Sequence, residues 1–199
     1  MKYARLALLL AATASCGIAQ AALQGRDLDG DTLTDAFYDT VLDITWRRNA
    51  NVNGRMTWAN AESWAASYSF GGYSDWRLPT SDTSCTEFNC TGSEMGHLWY
   101  VDLANVAGDT TPNTGNFRFM QLYAYWSGTT DPQDSTQAFG FNIDQGDQFS
   151  APKDGGDFAL PFAMAVRPGD VTAAVPEPQT AALVLLALAL TAVVRRKAN

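Results

Sequence analysis

Two uninterrupted apolar stretches, one near each end, decide how much of this 199-residue chain is available to a globular fold. The first covers residues 6–14, behind the basic start Met1-Lys2-Tyr3-Ala4-Arg5. That order is the pattern of a secretory signal peptide, and Ala19-Gln20-Ala21 supplies a small-x-small cleavage site. The mature chain is therefore expected to begin after Ala21. A rival reading takes Thr13-Ala14-Ser15-Cys16 as a lipoprotein cleavage signal, although Thr13 stands where an aliphatic residue belongs. The second stretch, residues 180–194, contains only Ala, Leu, Val and Thr. It has no polar face, which argues against a globular amphipathic helix. It is expected to be a membrane helix, although it falls short of the roughly 20 residues that a full span prefers. Arg195-Arg196-Lys197 would hold its far end on the cytoplasmic side.

Val175-Pro176-Glu177-Pro178 stands directly ahead of that helix. Motif, helix and basic cluster, in that order, resemble the PEP-CTERM sorting signal. The resemblance implies cutting by an exosortase in a Gram-negative host that makes exopolysaccharide. Ala21, Val175, Pro176, Glu177 and Pro178 are then the processing residues, and signal peptidase and exosortase the maturation partners. The implied route is a transient inner-membrane intermediate, then the cell surface or the medium. The prolines keep the motif extended, the form in which proteases bind their substrates.

Between these signals lies one domain's length of chain. We divide it into an acidic arm, 22–35, a domain, 36–169, and a linker that begins at 170 and leads into the sorting signal. Residues 22–175 carry eight Lys and Arg against twenty Asp and Glu. This charge opposes nucleic acid and anionic polysaccharide, and is compatible with divalent cations and neutral glycans.

The elements read as α+β. Residues 39–46 form a turn feeding a strand. Trp58, Ala61, Ala65 and Tyr68 share one face of a helix with Thr57 as its cap, and Gly71-Gly72 ends it. A second short helix is expected over 93–103. Strands follow at 123–129, at 138–143 with a hairpin return at 148–151, and at 162–167, so that two early helices precede an antiparallel β meander.

The body also resembles a known family. Leu42-Asp43-Ile44-Thr45-Trp46, Thr57-Trp58-Ala59, Trp76-Arg77-Leu78-Pro79, Tyr125-Trp126-Ser127-Gly128 and Ala165-Val166-Arg167-Pro168 look like the Lcl C-terminal domain family in order and spacing. The resemblance implies a C-type-lectin-like fold, distantly similar to the formylglycine-generating enzyme. Family members follow Trp-Arg-Leu-Pro-Thr at once with an acidic helix. Here a loop with two cysteines intervenes, and Glu94-Met95-Gly96-His97-Leu98 reads as the displaced helix.

Cys85 and Cys90 are expected to close a small disulfide loop in an oxidising compartment. Trp46, Trp76 and Trp126 are expected in the core rather than in a sugar-stacking platform. Arg77 and Arg167 are expected to clamp buried acids or carbonyls. Asp27, Asp29, Asp31 and Asp35 place carboxylates at alternate positions around Gly30, as a calcium loop does. The glycine stands at position 4, however, and Tyr38 falls where a bidentate glutamate belongs, so a solvated acidic arm is the other reading. No other cofactor is expected: zinc at Cys85 and Cys90 would need further ligands, and His97 is the single histidine of the chain. His97 is read as a surface contact of Glu94.

Two function classes remain open. One is a non-enzymatic binding module for glycan or matrix components, contacted through loops 81–92 and 104–116. The other is an enzyme on a formylglycine-generating-enzyme-like fold. The chain has one histidine and lacks Gly-x-Ser-x-Gly, a phosphate loop and His-Glu-x-x-His, which favours the first.

Overall fold

The protein is described from a computed structural model covering residues 23–156 and 160–171. The signal peptide with Ala21 and Cys16, the motif from Val175 to Pro178 and the apolar stretch 180–194 lie outside the described residues. Among those described, no helix is long and apolar enough to cross a membrane.

The elements are β1 (Gln24–Arg26), β2 (Ala36–Asp39), β3 (Ile44–Arg47), α1 (Trp58–Ser67), α2 (Glu94–His97), β4 (Ala124–Thr130), β5 (Gln137–Asn142), β6 (Gln148–Pro152) and β7 (Val166–Pro168). Helix α2 runs straight on into a π-helical turn, Leu98–Asp102. The class is α+β, with two short helices and antiparallel sheets.

The strands form two sheets, β1-β2-β3-β7 and β4-β5-β6. This corrects the expected meander: the last strand leaves the hairpin and joins β3, with Trp46 opposite Val166. The cause lies in the preceding run. Residues 161–166 are all buried, because the segment threads between the two sheets. At one end Phe162 exchanges backbone hydrogen bonds with β4, donating to Ala124 and accepting from Trp126, each at 2.9 Å. At the other end Val166 pairs with β3. A run covered on both sides need not alternate.

Segment 22–35, expected as an acidic arm, belongs to the fold from Leu23 onward. Strand β1 pairs with β2, and Leu28 is buried. Arg26 grips Asp170 with Nε at 2.7 Å and Nη2 at 2.8 Å, joining the two edges of the four-stranded sheet.

Helix α1 buries Ala61 and Ala65, whose small side chains let it lie close to Trp126 and Leu78. Thr57 occupies the N-cap position, but its side chain makes no capping bond. Past the helix, Gly71 has φ +59° and passes so near Leu28 that a Cβ would stand 2.4 Å from the leucine Cβ. Only glycine fits there.

The core has three parts, each anchored by one of the motif tryptophans. Trp46 packs with Trp99, Tyr125 and Phe141, Trp126 with Met56 and Leu78, and Trp76 with Leu28 and Val171. All three indoles are buried.

Candidate functional site

The five sequence motifs meet through backbone groups and the nitrogens of two indoles. The register of β4 against β5 shifts between Trp126 and Thr130, a bulge that turns the peptide groups of Ser127 and Gly128 out of the ladder. The freed carbonyl of Ser127 accepts from Trp58 Nε1 at 2.8 Å, and the freed amide of Gly128 donates to Pro79 at 2.8 Å. Trp126 Nε1 donates to the Met56 carbonyl at 2.9 Å. Arg77 and Val166 exchange backbone bonds at 2.8 and 2.9 Å. A Cβ on Gly128 would stand 2.9 Å from Glu62 Oε1, so the motif glycine keeps this junction open. The motifs thus build the scaffold.

Their arginines serve the same end. Arg77 binds Glu94 through two nitrogens, and the same carboxylate accepts from the Thr80 amide at 2.7 Å. Arg167 holds Asp75 through Nε and Nη2, both at 2.8 Å, and lies over the Tyr73 ring. Hydrogen bonding from Arg167 holds the Asp75 carboxyl below its ordinary range.

Cys85 and Cys90 are disulfide-bonded. Their loop is pinned on both sides. Glu87 exchanges backbone bonds of 2.8 and 2.7 Å with Gln148, adding the loop to the edge of β6. The buried Gln148 amide donates to the Asp82 and Cys85 carbonyls and accepts from Ser93. Tyr100 links the loop to the hairpin turn, its hydroxyl accepting from the Asn89 amide and donating to the Gly146 carbonyl. Loop 104–116 is braced internally by two reciprocal bonds between Asn105 and Asn113.

The ligand oxygens of Asp27, Asp29, Asp31 and Asp35 lie within 4.8 Å of one another. Much of their capacity is turned on the loop itself. Asp27 accepts from the Gly30 and Thr32 amides, each at 2.8 Å, and the Gly30 amide holds its carboxyl below the usual range. Asp35 accepts from the Leu28 amide and lies 3.6 Å from Arg47.

His97 is not a partner of Glu94, because Arg77 and Thr80 occupy that carboxylate. Its Nε2 instead faces Asp39 Oδ2, 4.0 Å away on β2, with Asp102 alongside. Asp39 is far upstream in sequence, so spacing alone gives no sign of this meeting.

A cleft of about 320 Å³ opens on the β4-β5-β6 sheet beside Tyr123, Asn142, Phe149 and Ser150, with Trp126 beneath. Gly140 makes room for the Phe149 ring, which a Cβ there would meet at 2.4 Å. Arg55 stacks on Tyr123 at 4.1 Å. Nothing in the sequence marks these residues as a site. Phe149 and Asn142 take ordinary alternating positions on the hairpin, and only the pairing of the strands brings them to one face.

Comparison with curated proteins finds no match to this chain. The sequence model of the Lcl C-terminal domain matches residues 35–162, a stretch that holds four of the five motifs, while β1 and β7 flank it on either side. With more than half of its length matched, the chain belongs to the Lcl C-terminal domain family.

Proposed function

We propose that this protein is an exported, surface- or matrix-associated binding module, without turnover chemistry, that takes a neutral glycan or similar matrix component in the cleft beside Tyr123 and Phe149. The cleft carries the reading. It combines aromatic faces with a few polar groups, Asn142 and Ser150 among them, which is the usual make-up of a small-molecule site. The motif tryptophans are committed to the core, so this face offers stacking surface without disturbing the scaffold. The acidic balance of the body argues against polyanionic ligands.

Export is supported by the N-terminal signal pattern and by a disulfide, which persists in oxidising compartments. The PEP-CTERM reading of residues 175–197, with exosortase processing, belongs to the same proposal. So does a C-type-lectin-like assignment of the fold. Calcium in the 27–35 loop is a subsidiary part, supported by the convergence of its four carboxylates.

The test is a glycan array probed with the full-length protein, with and without Ca²⁺, beside Tyr123→Ala and Phe149→Ala variants. Binding is expected in the parent, and a loss of about tenfold or more in each variant. Undiminished binding by both variants would move the site elsewhere.

A further inference from the structure

Asp39, His97 and Asp102 form the least satisfied polar group among the described residues. Asp39, at the end of β2, is fully buried. Its Oδ1 accepts from the Val41 and Leu42 amides at 2.8 and 3.0 Å, while its Oδ2 has no hydrogen-bond partner among the described residues. His97 Nε2 and both carboxylate oxygens of Asp102 are likewise buried without partners. Ligand atoms of the three side chains lie within 4.8 Å of one another.

This convergence depends on the π-helical turn. In a regular α-helix, residues five apart point about 140° away from each other. The wider turn over Leu98–Asp102 brings Asp102 round to the side of His97. Such single-turn insertions recur at functional sites. The turn is held firmly: Trp99 Nε1 donates to the Ile143 carbonyl at 2.9 Å, and its ring lies so close to Gly146 that a Cβ there would meet it at 2.4 Å.

Leaving buried polar atoms unpaired is costly, and two facing buried carboxylates cost more. A proton is one remedy. Burial, and then the Asp39 carboxylate, push the Asp102 carboxyl up to about 7. One proton shared between the two acids would pair one oxygen of each, yet it leaves His97 Nε2 and the second Asp102 oxygen without partners. A cation bound to all three side chains takes one orphaned atom from each, including the His97 nitrogen that a shared proton leaves bare.

We propose that Asp39 Oδ2, His97 Nε2 and the Asp102 carboxylate bind one divalent transition cation, of which zinc is the best fit. An imidazole nitrogen with two carboxylates is a zinc-type donor set, whereas calcium takes six to eight oxygens. Donors on a tetrahedral zinc lie roughly 3.4 Å apart at its usual bond lengths, so binding draws the three side chains together by about 1 Å. Three protein ligands leave a fourth position for water or a ligand group. The site is separate from the acidic 27–35 loop and from the aromatic cleft, and does not depend on the function proposed for either.

The test uses untagged full-length protein stripped with chelator and titrated with ZnCl₂, reading bound zinc by mass spectrometry of the eluted metal and the thermal unfolding midpoint by circular dichroism. One zinc per chain and a raised midpoint are expected. His97→Gln and Asp102→Asn should each weaken zinc binding by about tenfold or more. Without zinc both variants should melt no lower than the parent, since each relieves an unpaired buried group. Asp29→Asn combined with Asp31→Asn should leave zinc binding intact. Stripped protein loaded with Co²⁺ should show a visible absorption band that His97→Gln alters. Failure to bind stoichiometric zinc overturns the proposal. So does undiminished binding by both ligand variants, loss of binding in the Asp29/Asp31 control, or an equal midpoint shift from Ca²⁺.

Discussion

Arg77 holds Glu94 through both terminal nitrogens, Nη1 to Oε2 at 2.8 Å and Nη2 to Oε1 at 2.7 Å. This fork ties the third sequence motif to the first residue of α2, across the inserted disulfide loop. Glu94→Gln should therefore lower stability by about 1–3 kcal/mol, the range for hydrogen bonds to charged groups, reduced because Arg77 is partly exposed. Arg77→Lys keeps the charge but not the fork, and should recover only part of the loss. Urea denaturation of both variants measures it. Equal stability of parent and variants would show that the insertion is anchored elsewhere.

Trp126→Ala should cost about 3–5 kcal/mol, as truncation of other buried aromatics does. Its ring is fully buried, and its Nε1 bond to Met56 is lost as well. Tyr123→Ala, at the rim of the cleft, should cost about 1 kcal/mol. Thermal melts of the pair check this. A stable Trp126 variant that loses a ligand would place the indole in the site instead of the core.

Reducing the disulfide should destabilise the protein by about 2 kcal/mol, the chain-entropy value for so short a loop. The backbone pairing of Glu87 with Gln148 should keep the loop in place at low temperature. Thiol labelling of native, non-reduced protein should tag neither Cys85 nor Cys90. Hydrogen exchange at the Glu87 amide, measured before and after reduction, tests the second point.

The stability of the fold should fall in acid. Hydrogen bonds from Arg167 and from Arg26 hold Asp75 and Asp170 below the usual carboxyl range. For a group whose folded pKa is depressed, the stabilisation is present above the unfolded value, about 3.9, and is lost as pH drops through the folded one. The unfolding midpoint should accordingly decline below about pH 4. Removing both arginine partners by Arg26→Gln and Arg167→Gln should flatten that decline.

Protein recovered from its native host should begin near Ala22 and lack residues 180–194. Intact mass spectrometry decides the matter, and a mature species that still carries Arg195 would sink the sorting signal.

How much of this was legible in the sequence depended on whether a segment's neighbours are local. Helix α1 could be read because Trp58, Ala61, Ala65 and Tyr68 repeat on one face, and the β5-β6 hairpin because its turn residues sit between alternating strands. Strands β1 and β2 have three and four residues, too few to establish an alternation. The partner of β7 was hidden because a run buried on both sides carries no face preference. The one-residue widening after His97 leaves the apolar pattern of 93–103 looking like a single helix. The cleft and the meeting of Asp39 with His97 are properties of pairing between distant strands, and neither has a local pattern to read.

The clasp between Arg26 and Asp170 bears on how the domain transmits force. It fastens the strand that opens the fold to the residues that follow its last strand, at a separation of 2.7 Å. The leading and trailing ends of the domain are thus neighbours, and a tether of the kind proposed for the trailing end would suspend the body from a single corner. A load arriving there meets the ion pair and the short β3-β7 ladder, in which every hydrogen bond must yield in turn or in concert. The aromatic cleft stands on the other sheet, which shares no strand with that ladder.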